Sequence, residues 1–118
     1  MVKQSPTNEL TNRILNDLFY RKIFAWRHNS APIPVTKGRS VIGFRSGGKS
    51  GQPDIVGILH PLGRYFGIEI KVGKDKLRET QISFHLQAEK SGALIFVVKT
   101  WEEYISLVVP LLEKVIHI

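Results

Sequence analysis

Two apolar runs, Ile55–Leu59 and Tyr65–Val72, are separated only by His60-Pro61-Leu62-Gly63-Arg64. Short β-type runs joined by a turn containing Pro and Gly form a hairpin, so this part of the chain folds as two adjacent antiparallel strands. The remaining sequence supplies what extends and covers them. Ser5-Pro6 reads as an N-cap followed by proline in the first turn, and Leu10, Ile14, Leu15, Leu18 and Phe19 recur at helical spacing. Together they predict a helix over about residues 6–26. Short strands are expected near 34–36 and 40–44, a second helix over 77–90 ending before Gly92, and a buried strand over 93–98. Thr100-Trp101-Glu102-Glu103 is a capping box that opens the last helix, which Pro110 should kink or restart. The order α-β-β-β-β-α-β-α predicts one α/β domain over residues 1–118, a central mixed sheet flanked by helices.

The 118 residues suffice for one real core and leave no room for a second domain. Cysteine is absent, which excludes disulfides, thiolate chemistry and Cys-ligated zinc. The most apolar stretch, near Ile105–Leu112, is broken by Ser106 and Pro110 and is too short to span a bilayer. The first residues, Met1 to Pro6, lack the apolar run of a signal peptide. The expectation is a cytoplasmic protein without a membrane partner.

Charge is unevenly distributed. Residues 1–52 carry nine bases against two acids, whereas residues 53–118 carry eight of each, so the whole net charge of +7 comes from the first half. Such a half is either a solvated basic face or a surface for a polyanion, nucleic acid or anionic membrane. Membrane binding asks for a basic amphipathic helix, but these bases fall partly in Gly-rich loop sequence. Nucleic acid is therefore the expected partner, with Arg27, Lys37, Arg39, Arg45 and Lys49 as phosphate contacts.

One motif misleads. Gly43-Phe-Arg-Ser-Gly-Gly48-Lys49-Ser50 fits the phosphate-binding pattern G-x-x-x-x-G-K-[ST]. That pattern works only where a helix begins at the Lys-Ser, so that its free amides face the phosphates. Gly51-Gln52-Pro53 and then a strand follow instead, so no nucleotide cofactor is expected. The segment reads as a mobile cationic loop that touches backbone phosphates.

The chemistry concentrates in Pro53-Asp54 and in Gly67-Ile68-Glu69-Ile70-Lys71-Val72. Residues two apart in a strand share a face, so Glu69 and Lys71 point one way and Ile68, Ile70 and Val72 the other. A turn centred near Leu62-Gly63 sets Asp54 opposite Ile70 or Lys71. Asp54 and Glu69 would then lie close together at one end of the sheet. Two adjacent carboxylates are costly unless a cation intervenes, and oxygen ligands suit magnesium or manganese. Lys71 would complete a charge-balanced site for phosphodiester hydrolysis. Glu69 and Lys71 alone would equally suit an exposed strand pair; the adjoining Pro-Asp, apolar flanks and basic half favour the site.

Gly51-Gln52-Pro53-Asp54, Ile68-Glu69-Ile70-Lys71-Val72 and the later Gln81 resemble the PD-(D/E)XK nuclease superfamily. The form G-x-P-D, then E-x-K, then a basic turn and a helical Gln is similar to the VRR-NUC family, over about Glu9 to Val98. The resemblance implies an αβββαβ restriction-endonuclease-like core and DNA cleavage dependent on Mg²⁺ or Mn²⁺. For small members, encoded by phage or bacteria, it implies a homodimer that resolves Holliday junctions in the bacterial or phage-infected cell. Asp54 and Glu69 would be metal ligands with the backbone carbonyl of Ile70, and Lys71 would orient or deprotonate the attacking water. Gln81 would position the water or the lysine, and Glu9 would be an additional ligand. The alternatives are a monomeric flap- or single-strand-specific nuclease and a non-catalytic DNA-binding module of the same fold.

His28, His60, His85 and His117 show no metal-ligand spacing. His85 shares a helix face with Gln81 and reads as a surface or boundary residue or an active-site neighbour. Trp26 and Trp101 read as core or interface fillers. Tyr20 and Arg27 are expected on the helix face of Glu9. The last helix has more apolar surface than one sheet face needs, which marks it as core or as a dimer surface.

Overall fold

The expected hairpin forms from β4 (Ile55–Leu59) and β5 (Arg64–Ile70), paired antiparallel from Leu59↔Arg64 to Ile55↔Ile68. The computed structural model describes residues 4–28, 33–45 and 50–117. Lys49 and residues 46–48 of the phosphate-loop-like stretch lie outside the described residues. The protein is a mixed α/β structure. Its main sheet has the order β1-β4-β5-β6, with β1 (Phe24–Arg27) antiparallel to β4 and β6 (Leu94–Val98) parallel to β5. The β5-to-β6 crossover is α2 (Glu79–Lys90), the helical connection that a parallel pair requires.

The first helix, α1, runs Pro6–Tyr20, with the Ser5 side chain accepting from the Asn8 amide. It is shorter than the spacing predicts. Lys22 takes a left-handed φ of 62°, and the Ile23 amide donates back to the Leu18 carbonyl, which closes the helix. The apolar residues Ile23, Phe24 and Trp26, which extend the helical spacing in sequence, belong instead to the approach to β1 and to β1 itself. Tyr20, three turns after Glu9, stays on its helix face as expected, but Arg27 belongs to β1 and does not share it.

One face of the sheet carries the core. Ile14 and Leu18 of α1 pack with Ile55, Leu59, Phe66, Ile68, Ile70 and Val98, and the C-terminal helical segment closes over them with Tyr104, Val108 and Leu112. That segment comprises α3 (Trp101–Glu103), a π-helical turn (Tyr104–Val108) and α4 (Val109–Ile116). Thr100 caps it by accepting from the Glu103 amide at 3.1 Å. Pro110 has no amide to donate, and its ring crowds the preceding turn. The helix accommodates it by widening, with the Val109 amide reaching Tyr104 five residues back. Pro110 thus neither ends the helix nor restarts it after a break.

Tyr104 is wholly buried, and its hydroxyl donates to Asp17 at 2.5 Å. Asp17 also takes the Arg21 guanidinium at 2.6 Å, and Arg21 reaches Glu113 at 3.3 Å. Burial and the Asp17 carboxylate both push the Tyr104 phenol upward, so it stays a donor. Tyr104→Phe removes the hydroxyl that donates from the C-terminal helical segment to Asp17 of α1. Chemical denaturation should show a loss of about 1–3 kcal/mol.

The remaining strands, β2 (Ile33–Lys37) and β3 (Ser40–Arg45), form a separate two-stranded sheet. No helix among the described residues is long and apolar enough to cross a membrane.

Candidate active site

The two faces of β5 differ in kind. Phe66, Ile68 and Ile70 enter the core, and the alternate residues Tyr65, Gly67, Glu69 and Lys71 face α2. Gly67 is bare because the Pro53 ring occupies the space, with Cγ 2.5 Å from where a Cβ would stand. Pro53 thereby fixes the path of the chain into Asp54.

The turn between β4 and β5 is the four-residue His60–Gly63, closed by the Leu59↔Arg64 pair. Continuing that register sets Asp54 opposite Glu69, one to two residues from the Ile70 or Lys71 expected from a turn centred later. Asp54 is anchored from both sides. Its Oδ2 accepts from the Ile70 amide at 2.7 Å, and its carbonyl accepts from the His28 amide at 2.8 Å. The carboxylate thus closes the β4–β5 ladder beyond its last backbone pair.

Glu69 is 1% exposed. Its Oε1 accepts from the Gln81 side-chain amide at 2.5 Å and lies 3.6 Å from the Lys71 ammonium. Its Oε2 is buried without a hydrogen-bond partner among the described residues. Burial first, and then the charge of Asp54, push the Glu69 carboxyl up to about 7, against the opposing pull of Lys71 and Arg78. A buried carboxylate oxygen with nothing to bind is expensive unless something absent from the protein binds it.

Gln81 is itself held. Its side-chain oxygen accepts from the Arg78 amide at 2.9 Å, capping the start of α2, so its NH₂ is turned toward Glu69. Lys71 is 6% exposed and sits between Glu69 and Asp75, at 3.6 and 3.8 Å. His85 lies one turn beyond Gln81 and is buried, not a surface residue; its Nε2 has no partner among the described residues. Burial first, and then Lys71, hold its imidazole below the usual range against the pull of Glu89. It is therefore a neutral neighbour of Lys71.

The structure thus brings Asp54, Glu69, Lys71 and Gln81 together at one end of the sheet, with the Ile70 amide on Asp54. Glu9 is exposed in the first turn of α1. Among the described residues no three Asp, Glu, His or Cys side chains are arranged to hold a metal, so Glu9 does not join Asp54 and Glu69 in such a group. Two carboxylates with one unsatisfied oxygen still fit magnesium, which commonly takes one or two carboxylates and fills its other positions with water and phosphate. Arg27 is exposed at the end of β1 and donates to Asn8 at 2.6 Å. Lys37, Arg39 and Arg45 lie on the β2–β3 hairpin.

Sequence reasoning missed Arg78, whose charge lowers the Glu69 carboxyl and whose amide fixes Gln81. Its position three residues before Gln81, at the helix start, was the available signal. No family model, curated protein or solved structure matches this chain.

Proposed function

We propose that this protein is a metal-dependent, structure-specific DNA endonuclease with a PD-(D/E)XK core, similar to the VRR-NUC family, that cuts four-way junctions as a homodimer. The observation that carries this reading is the buried, unpartnered Oε2 of Glu69 beside Asp54, with Lys71 on the same strand face. A purely structural Glu–Lys pair would favour a hydrogen-bond partner on both carboxylate oxygens.

Asp54, Glu69 and the Ile70 carbonyl would hold the ion. When bound, Mg²⁺ or Mn²⁺ would supply the positive charge that phosphodiester hydrolysis requires at the reacting phosphate. Gln81 keeps Glu69 in a single orientation. Lys71, aligned by Glu69 and Asp75, donates a hydrogen bond to the attacking water and offsets charge that develops on the phosphate. Exposed Ile105, Leu107 and Leu111 on the C-terminal helical segment support a surface for a second copy.

The test is cleavage of labelled four-way junction, 5′-flap, single-stranded and linear duplex DNA, with and without Mg²⁺ or Mn²⁺. Symmetric junction nicking is expected, with Asp54→Ala slower by roughly 10³-fold. Selective flap cutting by a monomer would keep the site and change the substrate. Metal-independent cleavage, or an Asp54→Ala variant as active as the parent, would overturn the reading.

A further inference from the structure

The β2–β3 hairpin is the part of the molecule that the site does not explain. Every described residue from Ile33 to Arg45 is exposed except Gly43, which is half-buried, and the two strands pack chiefly on each other. Six residues of strand reach about 20 Å. The radius of gyration is 16.0 Å, against about 13 Å for a compact domain of around 100 residues, as expected if a ribbon extends from the body.

Its side chains are sorted by face. The register pairs Pro34 with Phe44 and Thr36 with Val41, while Ile33, Val35 and Lys37 share the other face with Arg45. Ile42 is the extra residue at an irregularity between Val35 and Thr36. Phe44 and Ile42 are 68% and 62% exposed. The hairpin holds three bases, Lys37, Arg39 and Arg45, and no acid. An all-basic ribbon with an exposed aromatic suits nucleic acid better than a second copy of a chain that is itself basic.

Its placement adds a second argument. The chain leaves the body at His28 and returns through Gly51 to Asp54, and these ends are tied by the His28 amide on the Asp54 carbonyl. The ribbon is therefore rooted at the carboxylate site. A two-stranded ribbon fits the major groove of B-DNA, about 12 Å wide.

We propose that β2–β3 is a DNA-gripping arm. Lys37, Arg39 and Arg45 bind backbone phosphates, and Phe44 stacks on the base-pair face that a branch point exposes next to the cut phosphate. The branch preference rests on the nuclease reading above, but the arm can be tested without cleavage. Binding of the full chain to labelled four-way junction and to linear duplex is followed by fluorescence anisotropy in EDTA across a salt series. The combined Lys37→Ala, Arg39→Ala and Arg45→Ala variant should flatten the slope of log K against log[salt] by about 2–3 on both DNAs. Phe44→Ser should weaken junction binding about tenfold, with the slope unchanged and duplex binding little affected. Both variants should keep the parental melting midpoint, since the arm lies outside the core. Unchanged slope and junction preference would overturn the arm. So would a Phe44→Ser protein that loses a subunit by sedimentation while its affinity per protomer stays the same, since the arm would then hold a second copy. A parent that binds through the arm yet cuts nothing would remove the nuclease reading alone.

Discussion

Replacing Glu69 with glutamine is expected to raise the melting midpoint of the metal-free protein at pH 8 while abolishing the metal-dependent cleavage proposed above. In the folded protein the carboxyl is pushed up to about 7, from an ordinary value of 4.5, by burial and by Asp54. Between those values the folded state keeps a proton that the unfolded state has released. The stability contributed by this group is therefore fully present below about pH 4.5 and is lost as pH rises through about 7. Above that, the buried charge costs roughly 3 kcal/mol. Glutamine carries no charge and can still accept from Gln81, so it avoids this cost but cannot hold a cation. The midpoint should rise by roughly 10–15 °C at pH 8, and the difference should vanish near pH 4.5. Added Mg²⁺ should stabilise the parent and leave Glu69→Gln unmoved. A variant that melts below the parent at pH 8 would show that Glu69 is a well-satisfied structural partner, and the metal reading would lose its main support.

The same chemistry gives a pH dependence in the intact protein. A proton on Glu69 would compete with the proposed metal, so Mg²⁺ affinity should increase as pH rises toward about 7 and level off above it. Titration of the midpoint shift with Mg²⁺ at pH 6 and pH 8 measures this directly. Equal affinity at both values would mean that the carboxyl is not displaced from its ordinary range.

What the sequence revealed and what it hid follow from the range of the interactions involved. The alternation in Gly67–Val72 is local, and one strand face of Glu69 and Lys71 against another of Ile68 and Ile70 could be read directly. The pairing of Asp54 with Glu69 depends on which residues close the turn, and shifting that centre by half a residue moves the register by one position. The β1 strand was hidden because Ile23, Phe24 and Trp26 continue the apolar spacing of α1; the left-handed Lys22 that ends the helix carries no glycine to announce it. His85 was ambiguous because a histidine one turn from Gln81 is buried or exposed according to which helix face meets the sheet. The exposure of the β2–β3 ribbon was beyond reach, since Ile33, Val35, Val41, Ile42 and Phe44 have the composition of strands that normally enter a core.

Gly51→Ala is expected to disable the site without touching any residue that would bind metal. Gly51 has φ +84°, and a Cβ there would overlap the Thr80 carbonyl and stand 3.1 Å from the Gln81 amide nitrogen. Both are backbone atoms in the first turn of α2, so no side-chain rotation relieves the clash. The loop that delivers Asp54 and the helix that delivers Gln81 are thus in direct backbone contact, and only glycine allows it. Separating them pulls the Gln81 amide off Glu69 and shifts Asp54 from its ladder position. A displacement near 1 Å at the chemistry costs on the order of 10²-fold in rate. Gly63 separates strain from contact, because its φ is +72° with nothing within 4 Å of its missing Cβ. Gly63→Ala should cost only the left-handed backbone penalty, about 1–2 kcal/mol in stability, with cleavage of folded protein unchanged. Gly51→Ala should cost more in stability and also lose cleavage and the Mg²⁺-induced rise in melting midpoint. If the two alanine variants behave alike, the contact between Gly51 and α2 does not align the site, and Gln81 is held over Glu69 by its own Arg78 cap alone.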